Sequence, residues 1–300
     1  MTDKRCAYLT MADTEGWSID ADLGFLAMEA LGWHIDAIPW RAEAVDWDRF
    51  MAVYIGVPWD YPEDPQHFMS VLETIDRSNA ILVNDLSLVR WAMPKTYLRD
   101  LECRGAAIVP SLWCDEMDID LLRDAFDTLG TERIIVKPVI STNATDTYLL
   151  TPGRVQQIAA ELMATFGHRP FVVQPFIDNI QTEGEFSLFY FNRLFSHAIK
   201  KIPADDDFRV QEEHGARIVA AVPERLLVET GDQVIRLVDP LPAYARADFV
   251  RGSDGRFLIM ELELIEPSMY LRMDPQAPQR FAAAFDDYVR QVAAGNENGP

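Results

Sequence analysis

The chain is short of the features that mark several large functional classes. Its 300 residues include three cysteines, Cys6, Cys103 and Cys114. Their spacing builds no zinc site, and an odd number closes no disulfide framework. No G-x-G-x-x-G turn follows the first expected strand, which weakens a dinucleotide-binding reading, and no Walker A sequence is present. Basic residues are scarce: 27 Lys and Arg against 48 Asp and Glu give a formal net charge of −21. A general nucleic-acid binder needs cationic surface to exchange for counterions, and an anionic membrane repels so acidic a chain. No apolar run reaches membrane-spanning length, and no signal-peptide pattern precedes the first strand. A soluble protein of the reducing cytoplasm is therefore expected. Internal repeats and low-complexity linkers are missing too.

What is present is a large apolar fraction, 49%, enough to bury a core divided among two or three compact lobes. Strand-like runs at 5–9, 34–39, 50–57 and 80–83 alternate with helical patterns at 21–31 and 66–79. That alternation predicts a largely parallel sheet with helices on both faces. Ligands of such sheets lie beyond the carboxyl ends of strands, where two loops fall, 10–20 and 58–62. In the second, Trp59, Asp60 and Tyr61 offer stacking, charge and hydroxyl contacts to a small polar substrate. A rigid proline-bounded turn accounts for them equally well. Further on, residues 84–90 read as a turn. Helices are expected at 95–103, 121–129, 154–166, 223–237 (broken near Gly231) and 278–294, and strands at 108–110, 133–136 and 171–174. Strands 186–190 and 194–199 form a hairpin turning at Asn192-Arg193. Residues 205–207 read as a solvated acidic loop and 295–300 as a frayed tail.

The stretch 246–270 organises the rest. Gly252, Ser253, Asp254 and Gly255 make a tight turn between two strands. The period of two puts Glu261 and Glu263 on one face of the second strand, with Asp248 of the first strand opposite them. Three carboxylates beside Arg246 form a hard, oxygen-rich site suited to Mg²⁺. The wet face of an antiparallel sheet would show the same alternation.

With Arg246-Ala247-Asp248 on one strand and Glu261-Leu262-Glu263 on the next, the sequence resembles the ATP-grasp superfamily in its carboxylate–amine ligase branch. That family carries R-x-D followed by E-x-N, so Glu263 stands where Asn is usual. The resemblance implies an ATP-grasp fold: an N-terminal Rossmann-like α/β domain (1–110) and two α+β subdomains (111–177 and 178–300) that clasp ATP. It implies that Asp248, Glu261 and Glu263 hold Mg²⁺ and that Arg246 contacts the transferring phosphate. Lys95, opening a helix, and Lys137, in an apolar-run–Lys-Pro setting, match the two phosphate lysines. The following loop, 141–147, includes Ser141 and Thr142 as phosphate contacts but has no glycine, unlike its relatives. Gln174-Pro175-Phe176-Ile177 resembles the hinge that reads adenine. Because Pro175 has no N–H, a backbone donor must come from Phe176 or Ile177. Glu183, preferred over Glu185, implies a ribose contact, and one of Lys200 and Lys201 a phosphate contact. The segment 208–216 is similar to the F-R-x-N…G-G segment of glutathione-synthetase-like and ribosomal-protein-modifying ligases. It implies Arg209 on phosphate or acyl phosphate, Gln211 on substrate, and His214 as a candidate base. Arg272 and Asp274 lie in a loop that in such enzymes faces the acceptor.

The expected reaction is ATP- and Mg²⁺-dependent. A small, amino-acid-like carboxylate becomes an acyl phosphate and is attacked by an amine. A carboxylate cannot expel oxide, whereas an acyl phosphate expels inorganic phosphate, and the protein's task is positioning and charge neutralisation. The segments around Glu183 and Glu266 resemble the branch containing a D-cycloserine-forming cyclo-ligase, which closes a ring from an O-ureido amino acid. Intramolecular cyclisation, or a nucleotide-binding protein without turnover, are the alternatives. Relatives with amino-acid-like substrates often read R-S-T-W-D-Y where this chain has Gly56, Val57 and Pro58 before Trp59, so an arginine that grips a substrate carboxylate is replaced by Gly56. The expected partners are small-molecule carboxylate and amine substrates, with no nucleic acid and no membrane; a homodimer is the default for an oligomer.

Overall fold

The computed structural model of the chain describes residues 4–205 and 207–297. Asp206 and residues 298–300, expected within an acidic loop and a frayed tail, lie outside the described residues. The first sheet joins β1 (Lys4–Thr10), β2 (Trp33–Pro39), β3 (Ala52–Val57) and β4 (Ile81–Val83), all parallel, in the order β2-β1-β3-β4. Alternation along its strands divides the core. Ala7, Leu9, Val53 and Ile55 pack on one side with Phe68, Leu72 and Ile75, from helix α2 (Pro65–Asp76). Cys6, Tyr8, Ala52 and Tyr54 pack on the other with Met28, Phe281 and Phe285. Met28 comes from α1 (Ala21–Glu29), and the two phenylalanines from the last helix of the chain. Helices therefore cover both faces, as the sequence pattern predicts.

Residues 84–90 are more than a turn. The side chain of Asp85 accepts a hydrogen bond from the Leu88 N–H and starts α3 (Leu86–Ala92), a cap of the kind that satisfies an otherwise unpaired helix amide. After α4 (Tyr97–Cys103), a second sheet forms from β5 (Leu112–Cys114), β6 (Ile134–Pro138), β7 (Tyr148–Leu150) and β8 (Phe171–Pro175), antiparallel, in the order β5-β8-β6-β7. Helix α5 (Ile119–Leu129) ends on Gly130 at φ 61°. The single helix expected over 154–166 is two, α6 (Pro152–Gln157) and α7 (Ala159–Phe166), parted at Ile158, whose φ of −112° and ψ of 20° leave the helical region. Three-residue β5 carries too little pattern to be read from sequence.

Past α8 (Asn179–Thr182), a third sheet runs β11-β10-β9-β12-β13. It is built from β9 (Glu185–Phe191), β10 (Leu194–Ile202), β11 (Arg217–Ala221), β12 (Tyr244–Arg251) and β13 (Phe257–Glu263). Asn192 and Arg193 both take positive φ in the β9–β10 turn, the geometry that matches strand twist in a two-residue hairpin. Edge strand β11 is half-exposed, which hid it from a pattern search. Helix α9 (Arg225–Arg236) is unbroken at Gly231. Glycine is there for close approach, since a Cβ would lie 2.2 Å from the Tyr190 hydroxyl oxygen of the sheet beneath. The final helix, α10 (Ala277–Glu297), packs back on α1 and on the first sheet. Residues 108–110 form a single parallel bridge, Ile108 to Ile259, rather than a strand. No described helix is long and apolar enough to cross a membrane.

His197 on β10 is buried, its ring stacked on Phe189 at 4.2 Å with Nε2 donating to the Met269 carbonyl at 3.1 Å. Burial pushes its pKa from the ordinary 6.5 down to about 4. The unfolded chain thus takes up this proton more readily, so stability is lost as pH falls from 6.5 toward 4 and is unaffected above. The shift corresponds to about 3 kcal/mol. Urea unfolding at pH 7 and pH 4 should show His197→Gln losing less stability than the parent by that order; parallel losses would assign the acid sensitivity elsewhere.

Candidate active site

A cleft of ≈ 210 Å³ opens where the three sheets meet, far above the 10–15 Å³ or so that one water needs. Strand register builds its polar floor. In the β12–β13 pairing, Arg246 lies opposite Glu263 and Asp248 opposite Glu261; in the β9–β10 pairing, Lys201 lies opposite Glu185. Opposite charges therefore meet in two of these pairs, Arg246 with Glu263 and Lys201 with Glu185, whereas Asp248 and Glu261 set two carboxylates opposite each other and depend on neighbouring cations. Arg246 donates to Asp248 at 3.0–3.2 Å and to Glu263. Lys201 bonds Glu185 at 2.8 Å and reaches Asp248 at 3.5 Å. Lys95 Nζ donates to the Ser141 carbonyl at 2.8 Å and pairs with Glu261 at 2.9 Å.

These contacts push the titrating groups of the floor in different directions. Burial works against charge on Asp248, but Arg246 and Lys201 overrule it and hold its pKa at about 2. Burial, together with Asp248 and Glu261, lifts Glu263 to about 7 despite Arg246. Glu261 is lowered: burial opposes, and Lys95 and Lys137 prevail. Lys137 lines the cleft with no ion pair among the described residues, and burial lowers its pKa.

The other end is apolar, lined by Val109, Ile135, Phe176, Ile177 and Met260. Arg133 lies over the Phe176 ring at 4.4 Å, and Gln174 anchors its amide on Ser111 at 2.9 Å. The Phe176 N–H is already spent on the Arg133 carbonyl at 2.9 Å. Of the two backbone donors expected at the hinge, only Ile177 is left without a protein acceptor among the described residues. Pro175 lines the same end.

The glycine-free loop reaches its shape by strain. Asn143, Ala144 and Asp146 all take positive φ, where glycine would be unstrained. Asp146 turns out of the cleft to pair with Arg169 at 2.6 Å, while Ser141 and Thr142 line it. Thr142 Oγ1 also donates to the Trp59 carbonyl at 2.9 Å, tying this loop to the one after β3.

Several expected residues are brought together: Lys95, Lys137, Arg209, Gln211, Arg246, Glu261, Glu263, Trp59 and Tyr61 line one cleft. Five are not. Asp60 accepts from Trp40 Nε1 at 2.6 Å and pairs with Arg41, so it braces the 58–62 loop instead of facing a substrate. Glu183 is gripped by Arg251 at 3.0–3.3 Å; Glu185, inside the strand, is the acid that faces the cleft. Lys200 lies over Phe186 on the opposite face of β10, because alternation gives the cleft to Lys201. His214 Nε2 donates to the Asn143 carbonyl at 3.3 Å, and so acts as a loop brace. Asp248 lies behind Arg246 and Lys201, and among the described residues no three of His, Cys, Asp and Glu converge to hold a metal ion. The expected three-carboxylate cage is thus two cleft-facing carboxylates, Glu261 and Glu263. Arg209 is held by Asp207 at 2.8 Å. Arg272, in the loop expected to face the acceptor, instead bridges Asp20 at 3.4 Å and Glu212 at 2.5 Å, and Asp274 pairs with Arg280 at 2.9 Å.

The residues fit the groups that the sequence implied. Mg²⁺ takes one or two carboxylates plus substrate phosphates, which Glu261 and Glu263 satisfy. A half-buried ammonium at Lys137 with no ion pair among the described residues calls for an anion, and an apolar slot ending on a free amide suits a heteroaromatic base. One residue was missed. Glu266 lines the cleft, and burial and Glu263 raise its pKa to about 8. Nothing in the local sequence marks it, since an acid after the apolar pair Leu264-Ile265 reads equally well as a solvated one.

Comparison with known proteins bears on the same cleft. A family model described as the N-terminal domain of D-cycloserine synthetase DcsG matches residues 6–84. The chain is 28% identical over 302 residues to the cycloserine biosynthesis protein DcsG of Streptomyces lavendulae, covering 93% of this chain and 98% of that one. The crystal structure of D-cycloserine synthetase DcsG superimposes with a TM-score of 0.84 at 25% identity, covering 95% of this chain and 99% of the other. D-alanyl-alanine synthetase A from Vibrio cholerae gives a TM-score of 0.73 at 16% identity over 98% and 100% of the two chains. The ATP-grasp ligase PsnB, solved with a minimal precursor, Mg and ADP, gives 0.64 at 13% over 95% and 98%. These last two speak for the fold alone.

The structure explains the missing arginine at position 56. A Cβ on Gly56 would lie 1.9 Å from Cε2 of Tyr8, whose ring fills the space a side chain would need. Gly56→Ala is expected to cost about 1–3 kcal/mol. Adding Tyr8→Ala should recover part of that loss, with a coupling energy on the order of 1 kcal/mol. A double-mutant cycle by urea unfolding measures it; strict additivity would refute the exchange of ring for side chain.

Proposed function

Because the chain belongs to the ATP-grasp superfamily, in its carboxylate–amine ligase branch, we propose that it uses ATP and Mg²⁺ to activate a small, amino-acid-like carboxylate for attack by an amine. The observation that carries this reading is one cleft running from an apolar slot to the unpartnered Lys137 and the facing carboxylates Glu261 and Glu263. Bound Mg·ATP supplies a transferable phosphoryl group and shields its charge. The chain's own residues do the rest. Val109, Phe176 and Met260 sandwich the base, and the Ile177 N–H meets its edge. Lys95 and Lys137 hold phosphate oxygens, Glu261 and Glu263 hold the metal, and Arg246 with Arg209 grips the anionic reacting groups. Trp59, its ring 5.0 Å from that of Trp17, shields the activated acyl group from water. As the C–N bond forms, the amine loses a proton and the activated oxygen departs with phosphate. Gln211 lines the wall beside Arg209 and orients the acceptor.

A second reading is ring closure within one substrate. It is favoured by the 28% identity to a cycloserine biosynthesis protein across 93% of the chain. Product mass separates the two, since cyclisation joins both ends of one molecule with loss of one water. We also read three lobes, 1–110, 111–177 and 178–300, because each of the three sheets falls inside one of them. A homodimer of the cytoplasm, where free cysteines persist, completes the reading.

Release of ADP and phosphate, measured against small amino acids and amines, tests the proposal. Turnover should fall roughly 100-fold or more in Lys137→Met and in Glu261→Gln, the scale seen when a preorganised charge is removed from a reaction centre. ATP binding without turnover across the panel would instead support a nucleotide sensor.

A further inference from the structure

We infer that Glu266 anchors the ammonium group of the substrate, so that the acid taken into the cleft is an amino acid read by its amine. This deepens the ligase reading above and rests on it. Glu266 follows β13 and is only 9% exposed, yet it lines the cleft. Its main chain is locked in place, because Trp59 Nε1 donates to its carbonyl at 2.9 Å. Its carboxyl group has no cationic partner among the described residues. Lys95, the cation whose charge acts on it, is committed to Glu261 and the Ser141 carbonyl, and Arg246 to Asp248 and Glu263; Lys137, which has no ion pair among the described residues, makes none with Glu266 either. A carboxyl group sealed from bulk water and left without a counter-charge is costly, and a cation arriving from the cleft removes that cost.

The surroundings select the kind of cation. Trp59 and Tyr61 line the same cleft, Trp59 bonded to the Glu266 main chain and the Tyr61 hydroxyl near the Glu266 carboxyl, and aromatic faces attract ammonium groups. A guanidinium at position 56, which would grip a substrate carboxylate, is excluded by the Tyr8 ring 1.9 Å from where its Cβ would start. The non-reacting pole of the substrate is therefore met by negative charge and aromatic rings. A purely structural Glu266, hydrogen-bonded as a neutral acid to Tyr61, would be replaced without loss by the isosteric amide.

The test compares acids that differ only in the amino group, alanine with propionate and serine with 3-hydroxypropionate. Hydroxylamine serves as the nitrogen nucleophile and ADP release as the readout. The wild type should prefer the amino member on the order of 100-fold in kcat/KM, the scale of a desolvated charge pair. Glu266→Gln should erase that preference while affinity for an ATP analogue is kept, and Glu266→Asp, which retains the charge, should restore part of it. An undiminished preference in Glu266→Gln overturns the inference. So does equal use of both members by the wild type. Absence of ADP release with any acid counts against the ligase function instead. The subsite is then decided by calorimetric binding to the analogue-loaded wild type, where equal affinity for alanine and propionate refutes it.

Discussion

Everything in the cleft depends on one buried ionic contact, the guanidinium of Arg246 forked onto Asp248 and reaching Glu263. Burying charges costs several kcal/mol per ion, and mutual attraction repays this only when geometry is good and the remaining hydrogen bonds are made. The third sheet supplies that geometry by cross-strand register. Four acids, Glu185, Asp248, Glu261 and Glu263, are matched in number by four basic groups, of which Lys95, Lys201 and Arg246 form ion pairs with them and Lys137 lies within their field. The floor of the site is thus balanced in charge although the chain as a whole carries −21. The acidic excess is a property of the outer surface, and local pairing decides what the cleft attracts.

Much of this was legible in the sequence because it rests on short-range periodicity. The parallel order of the first sheet followed from alternating strand and helix patterns, and the cleft-facing positions of Glu261 and Glu263 followed from the period of two. The errors share a different origin. Choosing between Glu183 and Glu185, or between Lys200 and Lys201, requires knowing where a strand begins and which face is buried, and one residue of register reverses the answer. Asp60 and His214 carry chemically versatile groups, yet each is consumed by a partner distant in sequence or on another loop: Trp40 and Arg41 for the first, the Asn143 carbonyl for the second. Asp248 is on the expected face but one layer too deep. Glu266 was missed because nothing in its local pattern distinguishes an unpaired buried acid from a solvated one.

The loop over the phosphate end shows how a departure from a common pattern is accommodated. With no glycine between positions 141 and 147, Asn143, Ala144 and Asp146 adopt left-handed backbone, and Arg169, Thr142 and His214 hold the loop in that shape. Backbone strain of this kind persists where surrounding contacts over-determine it. The result is a covering segment tied to three other parts of the chain, at Arg169, Trp59 and His214, rather than a freely hinged one.

Arg272 carries a consequence of another sort. It joins Asp20, on the loop leaving the first sheet, to Glu212, on the segment leading to β11, and so spans the rim of the cleft. Parting these segments to admit or discharge small molecules means separating one cation from two anions, Coulombic work that dissolved salt diminishes. Any parting of these two segments would therefore cost less in concentrated salt than in dilute, whatever the ionic strength does to the more deeply buried pairs.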